Sequence, residues 1–425
     1  MKFAPTLHRL SNGIAVLLDP MDIETASMEI FVKGGGRVEK PAEYGIAHFL
    51  EHMILSGSGK YPSAKAVKDF LNDNGGTRDG LTGMDRTAYY GRILSENFHA
   101  LLDVLTDAVQ NPLIAPETME GERGVIMQEM KRYEDNQNRQ FDWLVRKNLF
   151  AGSYLARYNT VGNAETINSF ARADLVGYKN ERYTAENIII GISGKFPGAD
   201  VVLTDLEKSF GGIPRGNGCD APAPEITPSI VYDVRPDRRQ TKLFIGFGAL
   251  YPDERKYDFE LACVEIFGLA LSRRLYEDVR YDRGLVYAFG ADGYGDRYAE
   301  VNGFSTALSP EKLGDLIAAV ARGCYDMAHR NPITGDELNR RRAMIKLNMA
   351  DFYESSERRL GRMLDFYADF GELYDPAWFD ALRARMTPDD VMKHSAGYFS
   401  KPLNIVAEGP PCDIDPAAVW KDNYK

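Results

Sequence analysis

Two histidines and a glutamate lie within five positions of one another in the segment HFLEHMILSGSG, residues 48–59. On a helix, positions i, i+3 and i+4 share one face, so His48, Glu51 and His52 are expected to point into the same space. Two imidazoles one turn apart can bind one Zn²⁺, and the glutamate can then act on the water that the metal binds. The order His-x-x-Glu-His is the inverse of the commoner zinc-protease motif, which favours a catalytic zinc centre.

The alternative is an ordinary amphipathic helix on which two of the six histidines fall one turn apart by accident. We expect such an accidental match in about one chain in a hundred. A catalytic centre also needs a third protein ligand, and spacing alone does not choose it. The candidates in ETMEGERGVIMQEMKRYED are Glu117, Glu120, Glu122, Glu129 and Glu134. Zn²⁺ is the expected metal, although a site of two histidines and one glutamate also accepts Co²⁺ or Mn²⁺.

Composition indicates a globular protein of more than one domain. The chain has 425 residues, 44% of them hydrophobic, and a net charge of −11 that argues against nucleic-acid or anionic-membrane binding. Its four cysteines show no CxxC spacing, and no apolar run reaches membrane-spanning length. The arginine-rich segments 339–349 and 356–364 have apolar residues at helical spacing and are interpreted as solvated amphipathic helices. We therefore predict a cytoplasmic protein with no nucleic-acid or membrane partner.

The first half of the chain predicts helices and strands in alternation. Asn12-Gly13, between two apolar runs, suits the tight turn of a β-hairpin, and the segment 25–39 indicates a strand leading into a glycine loop. The motif helix is expected from about Ile46 to Leu55, ending at Gly57-Ser58-Gly59. Further helices are predicted at 63–74, 96–110, 116–137 and 140–150, a strand pair at 77–94 and a strand at 187–194.

The segment 211–229 is rich in glycine and proline and divides the chain almost in half. After it we predict a strand at 241–250, a long helix at 257–281, strands at 284–293 and 299–308, and two or three helices between 310 and 400. Because this order repeats that of the first half, an internal duplication is suspected. The predicted fold is α+β, with two homologous domains, each a mostly antiparallel β-sheet packed with α-helices. The expected bounds are 1–212 for the first domain, 213–227 for the linker and 228–425 for the second domain.

The sequence also resembles a known family, the inverted-zincin M16 peptidases, which include pitrilysin, insulin-degrading enzyme and the mitochondrial processing peptidase. The resemblance covers most of the chain. It is carried by GGGRVEKPAEYGIAHFLEHM, KYPSAKAVKDFLNDNGG, ERGVIMQEMKRYEDN, ERYTAENIIIGISG and SRRLYEDVRYDRGLVYAF.

The resemblance implies a role for particular residues. The third zinc ligand falls on Glu129, 77 residues after His52, and a supporting glutamate falls on Glu122, seven residues earlier and on the same helical face. It also marks Arg280 and Tyr287 as substrate contacts, which could bind a peptide carbonyl and stabilise an oxyanion. Without the resemblance, a helix-terminal arginine and a strand tyrosine packed in the core would be the preferred interpretation.

One segment departs from the family pattern. Family members place an Asn-Ala pair in the edge strand beside the zinc, where this sequence has Asp79-Gly80. Aspartate keeps an acceptor but adds charge, and glycine loosens the strand. Asp79 and Gly80 are therefore candidate substrate-binding residues whose preference differs from that of relatives.

The resemblance further implies a zinc-dependent endopeptidase of unfolded peptides, with Glu51 activating the zinc-bound water inside a chamber closed by two subunits. The expected assembly is a homodimer, or a heterodimer with a homologous zinc-less subunit. One alternative is a dedicated precursor or leader-peptide processing protease that acts with a partner subunit. Another is a non-catalytic scaffold subunit, against which the intact motif argues.

Overall fold

A computed structural model describes residues 3–157, 159–219, 223–250, 259–296 and 298–425. The chain divides into two compact units. Unit 1 comprises Met1–Asn136, Asn159–Pro222 and Met349–Tyr374, and unit 2 comprises Gln137–Tyr158, Ala223–Asn348 and Asp375–Lys425. The sequence predicted a single boundary, the linker 213–227. In the structure, residues 137–158 of the first half belong to unit 2, and residues 349–374 of the second half belong to unit 1. Part of that linker, 220–222, lies outside the described residues.

Each unit contains one mixed β-sheet. The strands of the described residues are β1 (Thr6–Arg9), β2 (Ala15–Pro20), β3 (Thr25–Lys33), β4 (Gly76–Thr82), β5 (Arg86–Leu94), β6 (Ile188–Gly194), β7 (Ile230–Val234), β8 (Thr241–Leu250), β9 (Val286–Gly295), β10 (Ala299–Leu308) and β11 (Leu403–Gly409). The first sheet has the order β1-β2-β6-β3-β5-β4 and the second has the order β7-β11-β8-β10-β9. β4 and β9 are therefore edge strands.

The helices surround these sheets. They are α1 (Ile46–Ser56), α2 (Ala64–Asp73), α3 (Phe98–Gln110), α4 (Pro116–Glu134), α5 (Gln137–Leu149), α6 (Ala164–Ser169), α7 (Arg172–Arg182), α8 (Ala199–Phe210), α9 (Phe259–Tyr276), α10 (Leu313–His329), α11 (Gly335–Glu354), α12 (Ser356–Phe370), α13 (Pro376–Ala384), α14 (Pro388–Phe399) and α15 (Pro416–Asn423). A π-helical turn, Glu277–Asp282, follows α9 directly. Within the described ranges, no helix is both long and apolar enough to span a membrane.

The two sheets share one topology. In each, the first and last strands pair in parallel, β2 with β6 and β7 with β11, and the other neighbours are antiparallel. We count the strands of each sheet along the chain, starting with β2 in the first sheet and β7 in the second. In both sheets the spatial order of the strands is then first, fifth, second, fourth and third. β1 is an additional edge strand of the first sheet. α1 and α9 each connect the second strand to the third. This common order supports the suspected duplication at the level of fold.

The first sheet is covered on both faces. Met28, Ile30 and Val32 of β3 pack into the main core together with α1 and α3. Phe31, on the opposite face, packs with residues of α12 such as Leu360. Because both faces are buried, β3 consists of seven successive buried residues between two half-buried ends.

A buried ion pair holds α12 on this sheet. The guanidinium of Arg359 donates two hydrogen bonds to the carboxylate of Asp19, at 2.6 and 2.5 Å, and both side chains are inaccessible to solvent. Ser193 donates a further hydrogen bond of 2.8 Å to Asp19. This ion pair fixes α12 to the first sheet. No local sequence pattern predicts this contact.

Most predicted elements of the first half are confirmed, including the hairpin at Asn12-Gly13 and the motif helix. The expectation of two or three helices between 310 and 400 is wrong, because five helices, α10 to α14, occupy this range. β7 and β11 were not predicted. The first two residues of the predicted helix 257–281 lie outside the described residues. The last turn of this helix is π-helical rather than α-helical.

Candidate metal centre

The motif helix α1 begins at an unusual backbone junction. Gly45, at its N-cap, has a φ of 94°, and a Cβ on this residue would lie 2.6 Å from the Cα of Gly162. Only glycine adopts this conformation and permits this approach without strain. The buried carboxylate of Glu39 accepts hydrogen bonds of 3.1 Å from the backbone N–H groups of Gly45 and Ala47. These contacts satisfy N–H groups at the start of the helix and fix where α1 begins.

α1 and α4 bring three potential metal ligands together. The donor atoms of His48, His52 and Glu129 all lie within 4.8 Å of one another. Oε2 of Glu129 lies 3.6 Å from Nε2 of His48 and 3.9 Å from Nε2 of His52, which is beyond hydrogen-bonding distance. Of the five glutamates that spacing left open, Glu129 lies in this cluster.

The donor set fits a divalent metal. Two imidazole nitrogens and one carboxylate oxygen form the three-ligand set typical of catalytic zinc sites, with a fourth position left for water or substrate. Ligands about 2.0 to 2.2 Å from one ion would lie closer together than in the structure. His48 and His52 on α1 and Glu129 on α4 would hold such a metal.

Hydrogen bonds from neighbouring side chains orient His52 and Glu129. Nδ1 of His52 donates a hydrogen bond of 2.9 Å to Glu122, whose other oxygen accepts one of 2.8 Å from Ser56. This bond leaves the lone pair of His52 on Nε2, on the side of Glu129. Tyr133 donates a hydrogen bond of 2.6 Å to Oε1 of Glu129, which leaves Oε2 facing the histidines.

Glu51 lies beside the cluster and is buried. Thr82 of β4 donates a hydrogen bond of 2.7 Å to Oε2 of Glu51. Gly80, also on β4, lies against the other oxygen, since a Cβ at this position would be 2.6 Å from Oε1. The glycine therefore leaves room for the Glu51 carboxylate next to the edge strand.

Burial and neighbouring charges set the proton affinities of the site. Burial lowers the pKa of His48 to about 4, so this imidazole is neutral and can offer a lone pair. Burial raises the pKa of Glu51, which makes its carboxylate a stronger proton acceptor. Burial also acts to lower the pKa of His52, but the Glu122 hydrogen bond and nearby carboxylates outweigh it, so that this pKa is raised. The same hydrogen bond from His52 lowers the pKa of Glu122.

Several of these groups carried little or no signal in the sequence. Ser56 lies four residues after His52, and Tyr133 lies four residues after Glu129, so helical spacing could have suggested both. Thr82 had no such signal, because its approach to Glu51 depends on how β4 packs beside α1. Asp79 is exposed on β4, where its side chain accepts a hydrogen bond from the N–H of Gly80, and is not among the three clustered ligands.

The other predicted substrate contacts lie in unit 2. Arg280 is on the π-helical turn and Tyr287 is on the edge strand β9. The guanidinium carbon of Arg280 lies 4.4 Å from the centre of the Tyr287 ring. Tyr287 is 82% exposed, so the alternative of a tyrosine packed in the core is wrong.

All four cysteines are free. α9 takes the place of α1 in the second sheet but contains no histidine. The metal-ligand group found among the described residues therefore lies entirely within unit 1.

Comparison with known sequences matches both halves of the chain to family models. The model described as insulinase (peptidase family M16) matches residues 15–158, and that of the peptidase M16 inactive domain matches residues 169–345. An uncharacterized zinc protease of Rickettsia bellii is 29% identical over 416 residues, covering 96% of this chain and 98% of that protein. The mitochondrial-processing peptidase subunit beta of Dictyostelium discoideum is 31% identical over 210 residues, covering 49% of this chain and 45% of that protein.

Solved structures share the fold over nearly the whole chain. A protease from Helicobacter pylori has a TM-score of 0.82 at 16% identity and covers 96% of this chain and 100% of that one. A peptidase M16 inactive domain from Pseudomonas fluorescens has a TM-score of 0.84 at 16% identity, with 97% and 99% covered. These likenesses establish the two-domain α+β architecture.

Proposed function

The chain belongs to peptidase family M16, and we propose that it is a zinc-dependent endopeptidase that hydrolyses unfolded peptides. The observation that carries this proposal is the convergence of His48, His52 and Glu129 beside a buried Glu51. The names of relatives as zinc proteases support it. The name of the C-terminal model, an inactive domain, agrees with a metal centre confined to the first half.

In the proposed reaction, a bound Zn²⁺ supplies a Lewis acid that acidifies water and polarises the scissile carbonyl. Glu51 accepts a proton from the attacking water and passes it to the amine that leaves. The raised pKa of Glu51, caused by burial, and its hydrogen bond from Thr82 support this role. Glu122 orients His52 and stabilises its coordinating tautomer.

We propose that substrate binds along the edge strand β4. An unpaired strand edge offers backbone N–H and C=O groups to an extended peptide, which selects unfolded segments over folded proteins. Asp79 and Gly80 lie on this strand, and Gly80 lies against Glu51. A peptide added to β4 would then run next to the catalytic base. Arg280 and Tyr287 are proposed to contact the peptide from the other subunit of a dimer.

We further propose that two subunits enclose the substrate. The mitochondrial-processing peptidase relative is named as a subunit, which supports paired action in this family. A homodimer is the simpler assembly, because this chain has both the metal-binding motif and the Arg280–Tyr287 pair. The alternative is a heterodimer with a homologous zinc-less subunit, in which the enzyme would process a precursor or leader peptide. The intact ligand set argues against a scaffold without activity, and a cytoplasmic location stays a prediction.

The proposal is tested by metal content and cleavage of quenched fluorescent peptides in three proteins: the wild type, Glu129→Gln and Glu117→Gln. Glu117 is an exposed glutamate on the same helix and provides the matched control. We expect the wild type and Glu117→Gln to bind one metal ion and to cleave, and Glu129→Gln to lose both properties. Equal metal content and cleavage in all three proteins would contradict the proposed ligand set.

A further inference from the structure

A groove of about 320 Å³ lies between the edge strand β4 and the helices α1 and α2. Leucine and alanine side chains give it apolar walls, and two cationic groups and one carboxylate border the same space. We call it the β4 groove, and its lining residues with a chemical role are Leu55, Ala64, Lys68, Leu71, Arg78 and Asp79. With two positive groups against one negative group, the groove is positively charged.

The β4 groove adjoins the candidate catalytic base. Leu55 lies one helical turn after Glu51 on α1, so the two side chains share a face. A Cβ on Gly80 of β4 would lie 2.6 Å from Oε1 of Glu51 and 2.7 Å from Cδ1 of Leu55. The Glu51 carboxylate and the end of the groove therefore meet at one point of the strand, and all of these residues belong to unit 1.

Arg78 brings a positive charge into the groove without a close counter-charge. One of its N–H groups donates a hydrogen bond of 2.5 Å to the backbone carbonyl of Leu55. Nη1 is buried without a hydrogen-bond partner, and no carboxylate of the described residues is within ion-pairing distance. Burial lowers the pKa of Arg78 to about 10, and the carboxylate of Asp79 offsets this effect only in part. Because buried charges in proteins are normally paired, this environment favours an anionic ligand as the partner.

Lys68 on α2 is the second cation of the groove, and it too has no acidic partner among the described residues. On the same helix, Lys65 forms an ion pair with Asp69 one turn later. Lys68 is exposed, so its ammonium group can reach a group that enters the groove. The two cations thus come from different elements, a strand and a helix, and border the same space.

The geometry of an added strand relates the groove to the cleaved bond. Gly80 and Arg78 are two residues apart on β4, and both are directed towards α1. Alternate residues of a strand share a face, so a peptide paired with β4 would present every second side chain to this side. For a peptide cleaved beside Glu51, the side chain opposite Arg78 lies roughly 7 Å along the strand, within two residues of that bond. In recognition by strand addition, pockets for alternate side chains provide specificity.

We propose that the β4 groove is a specificity site for a glutamate side chain of the substrate, within two residues of the cleaved bond, and that Arg78 and Lys68 determine this preference. The methylene groups of a glutamate can pack against Leu55 and Leu71. Its carboxylate can then accept hydrogen bonds from the two cations, which ionised partners strengthen. This inference rests on the proposed peptidase function and adds to it a class of substrate.

The test compares peptides of one neutral host sequence that carry glutamate or glutamine at a single position, which is moved stepwise along the peptide. All peptides are amidated at the C-terminus, so the glutamate is the only carboxylate that differs within a pair. Cleavage by the wild-type protein gives kcat/KM for each peptide, and mass spectrometry locates the cleaved bond. Fluorescence anisotropy of the same peptides, labelled and titrated with metal-loaded Glu51→Gln protein, measures binding without cleavage.

At a position within two residues of the cleaved bond, we expect glutamate to raise kcat/KM and affinity about tenfold over glutamine, as for a hydrogen bond between ionised groups. Lys68→Gln should reduce this preference by up to about fivefold, the effect of one exposed ion pair. Lys68→Glu should reduce it further, because it adds a repelling charge at an exposed site and leaves the bond from Arg78 to Leu55 in place. Arg78→Leu combined with Lys68→Gln should abolish it. Lys65→Gln, the matched control on α2, should keep the full preference.

Equal values within every pair would overturn the inference, as would a preference that survives in Lys68→Glu and in the double variant. A preference confined to positions more than two residues from the cleaved bond would also overturn it. So would an equal loss in Lys65→Gln, because the preference would then reflect the overall charge of α2. Binding with the glutamate preference in a protein that never cleaves would uphold the site and contradict only the proposed peptidase function.

Discussion

The contact between Glu122 and His52 makes a quantitative prediction about metal affinity. Nδ1 of His52 donates to Glu122 at 2.9 Å, and Ser56 holds the other oxygen of the carboxylate at 2.8 Å. Removing such a carboxylate behind a ligand histidine costs about 10- to 100-fold in metal affinity, or about 1.4 to 2.8 kcal/mol. Glu122→Gln keeps an acceptor for His52 but removes the charge, so we expect a loss near the lower limit. Glu122→Ala removes both and should lie near the upper limit.

The assay is a competition titration of Zn²⁺ against a chromophoric chelator at fixed pH. Ser56→Ala should cause a smaller loss than Glu122→Ala, because the serine reaches the His52 imidazole only through Glu122, and its other hydrogen bond is to the backbone carbonyl of His52. Glu117→Gln, on the same helix, should bind metal like the wild type. Wild-type affinity in Glu122→Ala would refute the proposed orienting role. A loss as great as that of Glu129→Gln would also refute it, by indicating that Glu122 binds the metal directly.

Three further predictions concern stability. Asp19→Asn removes the negative charge that faces the buried Arg359 guanidinium and should destabilise unit 1 by about 3 to 5 kcal/mol in chemical denaturation, whereas replacing both partners by apolar residues should cost much less. Gly45→Ala should lower the melting temperature and the metal content, because the backbone at residue 45 has a φ of 94° and a Cβ would meet backbone 2.6 Å away. The Arg274 hydrogen bond lowers the pKa of Glu337 from 4.5 to about 2, so its contribution to stability is complete above about pH 4.5 and is lost as pH falls towards 2. The deficit of Glu337→Gln relative to wild type, measured by urea denaturation, should therefore be present at pH 7 and shrink between these two pH values.

The sequence predicted those parts of the fold that depend on local patterns. α1 follows from the spacing of its apolar residues and from the glycine that ends it, and the N-terminal hairpin follows from Asn12-Gly13. β7 was missed because it is a short edge strand whose residues are half-buried or exposed, which leaves no clear alternation. The π-helical turn was missed because a helical periodicity does not distinguish it from the last turn of α9.

Features that depend on distant contacts could not be predicted. Asp19 and Arg359 are 340 residues apart, so nothing near either residue indicates that α12 covers the first sheet. The same holds within the candidate site. The spacing of His48, Glu51 and His52 on one helix predicts that these three side chains share a face. Spacing did not choose among five glutamates for the third ligand. Thr82 approaches Glu51 only after β4 has packed beside α1.

The central claim is that Glu51 is the proton acceptor of a metal-dependent peptidase centre. The most direct measurement is peptide cleavage and bound metal in the same samples of wild type and Glu51→Gln, a substitution that keeps the side-chain shape and the contact with Thr82. We predict that both proteins bind one metal ion per chain and that only the wild type cleaves. Comparable cleavage by the metal-loaded variant would contradict the claim.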